Sequence, residues 1–234
     1  MADRHALPLY VQLSELLIRE IRAGRYAEGE RLPPEREMAA ALGTSVGTLR
    51  KALADLTDKG LLERRHGSGN YVRRGAETPS VYAFFRVELL EGGAGLPRAD
   101  LLALDRCPAA EAPTAFGPAP HVFRIRRLRS LNRVPAVLEE IWLDGAHAAD
   151  IGATELSESL YLFYRERLGL WISRVEDRLT MGAVPEWAPP TFGCAAGAAT
   201  LLATRRGWAK SGALAEISRN WIDTRVAAYV SRHG

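Results

Sequence analysis

The chain has 234 residues, 47% of them apolar and 25% charged, an ordinary composition for two packed domains. No apolar run approaches the roughly 18 residues a membrane span needs, no apolar leader core follows Met1–His5, and Cys107 and Cys194 are too few and too far apart for a disulfide framework or a zinc knuckle. The net charge of +3 lies wholly in the first third: residues 1–75 hold 13 Lys/Arg against 10 Asp/Glu, and the rest hold 18 of each. These features point away from membrane and secreted classes and towards a cytoplasmic protein, and residues 49–75, with seven basic and three acidic side chains, mark a local basic stretch.

Tyr10, Leu13, Leu17 and Ile21 recur at helical spacing, and Gly24 supplies a stop. Leu32-Pro33-Pro34-Glu35 opens a second, short helix with Met38, Ala39 and Leu42 inward, because proline suits a first turn and carboxylates suit the positive helix end. Gly43-Thr44 turns the chain, Ser45 is an N-cap, and Leu49, Leu53 and Leu56 form the inner stripe of a third helix ending at Gly60. Leu61–Arg65 and Tyr71–Arg73 read as a hairpin around His66-Gly67-Ser68-Gly69-Asn70. Three short helices followed by a hairpin make a winged helix-turn-helix over residues 1–73.

Four blocks in this region resemble the GntR-family DNA-binding domain: Pro8–Leu13, Gly29–Ala39, Ser45–Leu53 and Gly60–Val72. The resemblance implies that Thr48, Arg50 and Lys51 on the third helix, with Arg36 from the second, reach bases and phosphates of operator DNA. The arginine fork matches guanine O6 and N7, a contact worth about 1–3 kcal/mol of discrimination. Ser45 would sit on a phosphate at the helix N-terminus, and His66, Gly67 and Gly69 would carry the wing tip into a minor groove. A salt bridge from Arg36 to a carboxylate such as Glu37 is the structural alternative. Val46 stands where the family usually has arginine. Either the operator is read with fewer polar contacts, or Val46 meets a thymine methyl.

Arg74–Ser80 has the small, breaking residues of a linker, and residues 81–234 form the second domain. Val81–Leu90, Leu101–Asp105, His121–Leu131, Ala136–Leu143, Trp171–Met181, Thr200–Arg206 and Glu216–Asp223 read as strands, with turns at Gly92–Gly95 and Asn132–Pro135. Cys107–Pro120 reads as loop with at most a short helix, and Ser157–Leu168 as a helix with Leu160, Phe163, Tyr164 and Leu168 on one side. Strands running as hairpins with few helices give an α+β domain on an antiparallel sheet.

This region is similar to the UTRA effector domain of the HutC subfamily, whose fold is chorismate-lyase-like, through Arg127-Leu128-Arg129 with Pro135 and Glu139, Glu158–Tyr161, Leu201-Leu202 with Arg206, and Glu216-Ile217-Ser218. The all-helical GntR subfamily with a metal-binding Asp/His cluster fits poorly, since His121 and His147 are isolated. Alternation puts Arg127 and Arg129 on one strand face with Phe123 and Ile125, so two arginines on an apolar face require an anion. The resemblance implies an effector site of Arg127, Arg129, Ser159, Glu216 and Glu139 for a phosphate- or carboxylate-bearing metabolite. The alternative is an internal staple of Arg127 to Glu139 or Glu216. Ile222 replaces a tyrosine common in relatives, with the aromatic Trp221 beside it.

The expectation is a transcriptional regulator, in sign a repressor, working as a homodimer on a palindromic double-stranded operator and modulated by a small anionic effector. No cofactor, metal site, membrane contact or catalytic residue is expected: the sequence offers no nucleophile–base–orienter set, zinc spacing or glycine-rich phosphate loop. The other possible reading is an architectural DNA-binding protein without a ligand.

Overall fold

The computed structural model describes residues 7–73, 82, 84–91 and 93–232, which divide into two compact units, one up to residue 82 together with Arg232 and one from Phe84 to Ser231. The expected linker 74–80, Val81 and Gly92 lie outside the described residues.

The first unit contains α1 (Leu9–Arg22), α2 (Glu35–Ala41) and α3 (Val46–Asp58), then β1 (Leu62–Arg65) paired antiparallel with β2 (Gly69–Val72). Its core joins Leu17, Ile18 and Ile21 of α1 to Met38 and Ala39 of α2, Leu49, Leu53 and Leu56 of α3, and Leu61, Leu62 and Val72 of the hairpin. Each such side chain, fully buried, contributes about 1.5–3 kcal/mol. Tyr10 departs from the expected inward stripe: it lies in the first turn of α1 and is exposed, so the stripe begins at Leu13. Leu42 is only half-buried at the end of α2. Polar contacts join α1 to α3, with the Ser14 hydroxyl donating to Asp55 and Lys59 bridging Asp55 at 2.7 Å and Glu15 at 3.6 Å. The hairpin also gains a third stretch of chain that patterning does not show: Gly29 N donates to Val72 O, Val72 N to Glu30 O and Leu32 N to Asn70 O, each at 2.9 Å.

The second unit is built on a six-stranded antiparallel sheet in the order β4-β5-β6-β9-β8-β7. Its strands are β4 (Pro97–Pro108), β5 (His121–Leu131), β6 (Val134–Asp144), β7 (Ile172–Ala183), β8 (Ala199–Ala209) and β9 (Leu214–Ile222). A separate pair, β3 (Val87–Leu89) with β10 (Ala227–Tyr229), packs its Val87 and Ala227 with Leu131, Val137, Ala203 and Ile222. The expected strand 81–90 is thus confined to three residues among those described, whereas the strands begun at Leu101 and Thr200 run longer than alternation indicated. A register shift between Leu101 and Ala103 breaks the alternation of β4 at the point where the sequence reading had placed its start. The β5–β6 turn is a two-residue loop in which Asn132 and Arg133 both have positive φ, 49° and 68°, the twist that a tight hairpin requires.

Helix α4 (Leu160–Arg167) starts at Ser159, whose Oγ accepts from Leu162 N, and ends at Leu168. Leu160, Phe163 and Tyr164 pack on Phe123, Ile125, Ile141 and Leu143, and so cover one end of one sheet face. The opposite face carries Leu128, Leu138 and Trp221 against Val184 and Phe192. No described helix is long and apolar enough to cross a membrane.

Candidate functional site

In the first unit the site is the start of α3. Ser45 caps it, its Oγ accepting from Thr48 N at 3.1 Å and lying 2.8 Å from Thr48 Oγ1. That cap fixes the first turn, so Arg50 and Lys51 project outward while Leu49, Leu53 and Leu56 face the core. The Arg50 side chain is 64% exposed and its Nε donates to Glu35 of α2 at 2.6 Å. An exposed pair of this kind adds little stability but aims the guanidinium. Arg36 is exposed in the first turn of α2 and makes no ion pair among the described residues, so the expected alternative of a bridge to Glu37 is not what forms; Arg50 has the carboxylate partner instead. Val46 is half-buried and packs against the domain core.

At the wing tip His66 and Gly67 are exposed, Gly67 at φ 70° and Gly69 at φ 119°, both backbone conformations that favour glycine. Gly69 also lies against Arg31, whose Nε would stand 3.1 Å from a Cβ built there. Tyr71 holds the base of the wing, its hydroxyl 2.7 Å from Ser68 Oγ and its ring under the Arg65 guanidinium at 4.2 Å. Arg31 and Glu35 were not singled out from sequence, because nothing in their spacing marks a partner fifteen or more residues away.

In the second unit register brings the expected effector residues together. Directly opposed residues of antiparallel strands share a face. One row across the sheet reads Arg127, Glu139, Asn220 and Ala203; the next reads Ile125, Ile141, Ser218, Arg205 and Asp177; a third reads Phe123, Leu143, Glu216 and Gly207. Arg127 and Arg129 are each only 4% exposed, and both grip one carboxylate: Arg127 Nη2 lies 2.6 Å from Glu139 Oε2 and Arg129 Nε 2.8 Å from Oε1. Both also donate to the Glu158 carbonyl, at 3.2 and 3.3 Å, immediately before Ser159. The internal staple expected as the alternative therefore exists for Glu139.

Glu216 is placed differently. It accepts from the Tyr161 hydroxyl at 3.0 Å and lies beside the buried Tyr164 hydroxyl, while Arg127 Nε is buried without a hydrogen-bond partner among the described residues. A buried donor such as Arg127 Nε costs about 1–3 kcal/mol when left unpaired. Burial would raise the pKa of Glu139, but the charges and hydrogen bonds of Arg127 and Arg129 together override it and hold the carboxyl at about 2. Burial pushes Glu216 up, and the Tyr164 and Tyr161 hydroxyls and the nearby arginines only partly oppose it. The Tyr164 phenol is raised well above its ordinary value, first by burial and then by Glu216. Two carboxyls on one face are thus driven apart, Glu139 down by its two arginines and Glu216 up by burial.

Ser159 is buried beside this cluster and spends an oxygen lone pair on the α4 cap. Ile222 is buried on the arginine face, in one row with Arg129 and Val137. Trp221 lies on the other face with Leu128 and Leu138, so it does not stand in for the missing tyrosine. Tyr161, Arg205 and Asp177 complete the face, although sequence reasoning gave them no role. A groove of about 470 Å³ beside β4, lined by Leu101–Leu104, Arg106, Phe123, Asp150, Ile151 and Ala153, includes none of the expected effector residues.

Residues 9–72 match the model for bacterial regulatory proteins of the gntR family, and residues 94–225 match the UTRA domain. The chain belongs to the GntR family. It is a transcriptional regulator with a GntR DNA-binding domain and a UTRA domain, and the chain is similar along nearly its whole length to other such regulators. It is 54% identical to the HTH-type transcriptional regulator SmoD of Agrobacterium fabrum, with 97% of each chain covered. It is 27% identical to the Mannosyl-D-glycerate transport/metabolism system repressor MngR of Escherichia coli, over 93% of this chain and 92% of that one. In fold this regulator resembles YydK of Bacillus subtilis, a possible transcriptional regulator, with a TM-score of 0.55 at 20% identity over 96% of this chain and 99% of that one. SmoD is thus described as a transcriptional regulator and MngR as a repressor.

Proposed function

We propose that this GntR regulator is a homodimeric repressor of the HutC subfamily that binds a palindromic operator and releases it when a small anionic metabolite enters the UTRA domain. In this reading residues 1–73 bind DNA in the cytoplasm, 74–80 link, and 81–234 sense. The observation that carries it is the capped start of α3, with Thr48 in its first turn and Arg50 and Lys51 exposed, as is Arg36 of α2. A recognition helix entering a major groove needs this arrangement, and paired half-sites of a palindrome need two copies of it. The repressor sign is supported by MngR, which is described as a repressor.

The effector is read as an anion because Arg127 and Arg129 both turn on one carboxylate and Arg127 Nε is buried without a hydrogen-bond partner among the described residues. A phosphate or carboxylate would satisfy Arg127 Nε, while Glu216 and the Tyr164 hydroxyl would meet polar groups of the same molecule, with Ser159 and Glu139 at its edge. Differential affinity for two arrangements is what would convert this binding into operator release.

The test is selection of a bound sequence from random DNA, followed by footprinting with Arg50→Ala. Loss of protection at guanines, with relaxed base preference, supports the assignment. An unchanged footprint overturns it.

A further inference from the structure

Arg205 lies in the same sheet row as Ile125, Ile141 and Ser218 and on the same face as the arginine–glutamate cluster. Its guanidinium grips Asp177 with two bonds of 2.6 Å and donates a third, at 2.7 Å, to the Phe84 carbonyl. The Tyr229 hydroxyl donates to the same Asp177 at 2.5 Å. Phe84 begins the second unit, and Tyr229 ends β10, whose partner is β3. One side chain therefore holds the stretch where the chain joins this unit and, through Asp177, the strand where it leaves.

Towards the candidate effector site, Arg205 of β8 and Glu216 of β9 are diagonal neighbours on one sheet face, Arg205 opposite Ser218 and Glu216 opposite Gly207, a spacing that long charged side chains span. The Tyr161 ring meets Phe84 edge-on at 5.9 Å, and the Arg129 guanidinium lies over the Phe85 ring at 5.0 Å. The first residues of the unit thus rest on three members of the polar cluster at once. We propose that Arg205 is a positioning residue that couples the charge and hydrogen bonding around Glu216 to the β3–β10 pair and to residues 84–85.

The coupling follows from competition for one guanidinium. Arg205 holds Asp177 and a backbone carbonyl, and its diagonal neighbour Glu216 is held by the Tyr161 hydroxyl. Whatever changes the charge or the partners of Glu216 changes how firmly Arg205 can hold Phe84. Arginine suits the role because its rigid fork serves the carboxylate and the carbonyl together, which a lysine ammonium at one point cannot do. The inference rests on reading the cluster around Arg127, Arg129 and Glu216 as the effector site, but its test uses neither DNA nor ligand, so the two can fail separately.

The test is amide hydrogen exchange on the full chain, followed at Leu90, which donates to Val226 O, and at Val230, which donates to Arg86 O. Tyr161→Phe keeps the ring against Phe84 and removes the hydroxyl from Glu216, which then draws on Arg205. Exchange at Leu90 and Val230 rises about tenfold on this change in the wild-type background, and less than about twofold when the change is made in Arg205→Lys. The β5–β6 ladder amides, as the control, change little in either. Equal acceleration in both backgrounds overturns the proposal, and so does no acceleration in the wild-type background. If Arg205→Lys does not fold, Asp177→Asn serves as the second background: with its carboxylate anchor gone Arg205 is more easily drawn from Phe84, so the acceleration caused by Tyr161→Phe is expected to grow, and an unchanged acceleration overturns the proposal.

Discussion

The two units place their functional side chains in opposite environments. At α3 and the wing, Arg36, Arg50, Lys51 and His66 stand in solvent, apart from the buried apolar cluster beneath them. On the UTRA face, Arg127, Arg129, Glu139 and Glu216 are themselves part of the buried interior. A DNA surface must be reached by a molecule too large to be enclosed, whereas a small anion is recognised by groups already withdrawn from water. The energetic consequence differs accordingly: the exposed side chains of the first unit contribute little to stability, whereas the buried arginines and glutamates of the second are part of what holds the fold.

The largest effect that could break this contrast is at Glu139. Glu139→Ala strands two buried guanidinium groups and is expected to cost about 3–5 kcal/mol, read from denaturant unfolding of the full chain. A loss below 1 kcal/mol would show the cluster to be solvated. The pH dependence has a definite sign. Glu139 is held at about 2, so its contribution is complete above the ordinary carboxyl range near 4.5 and is lost as the pH falls from there towards 2.

Glu216 has the opposite sign, because its folded pKa is raised: ionised, it penalises the folded state, increasingly as the pH rises through that value. Glu216→Gln is therefore expected to raise the melting temperature by about 2–4 °C at pH 8, the equivalent of about 1 kcal/mol, with the gain vanishing below pH 4.5 or so. A gain that persists at acid pH would point to packing and not to charge.

Smaller effects sharpen the exposed side of the comparison. Ser45→Ala removes the α3 cap and costs about 1 kcal/mol of stability, seen in the unfolding midpoint. Glu35→Gln releases Arg50 and leaves stability within about 0.5 kcal/mol, because the pair is exposed. Its operator affinity, measured by anisotropy, changes less than that of Arg50→Ala.

The winged helix was legible because its signals are local: Ser45 before a Leu49, Leu53, Leu56 stripe, and two glycines in a short turn. The arginine face was legible for the same reason, since alternation alone aligns Arg127 and Arg129. What escaped was contact at long separation. Arg205 meets Phe84 across 121 positions and Tyr161 meets Glu216 across 55, and register between strands distant in sequence, not periodicity within one, decides those pairings. Tyr10 and β4 failed for a related reason. A stripe predicts a face but not where its burial begins, and the shift between Leu101 and Ala103 hides a long strand from an alternation count.

The most direct test of functional separation in the first unit is Arg50→Ala, with unfolding and operator titration measured on the same preparation. An unfolding free energy within about 0.5 kcal/mol of wild type, together with operator affinity reduced about 10- to 100-fold, is the expected result. Unchanged operator affinity, or a loss of binding that merely follows a loss of folding, would contradict it.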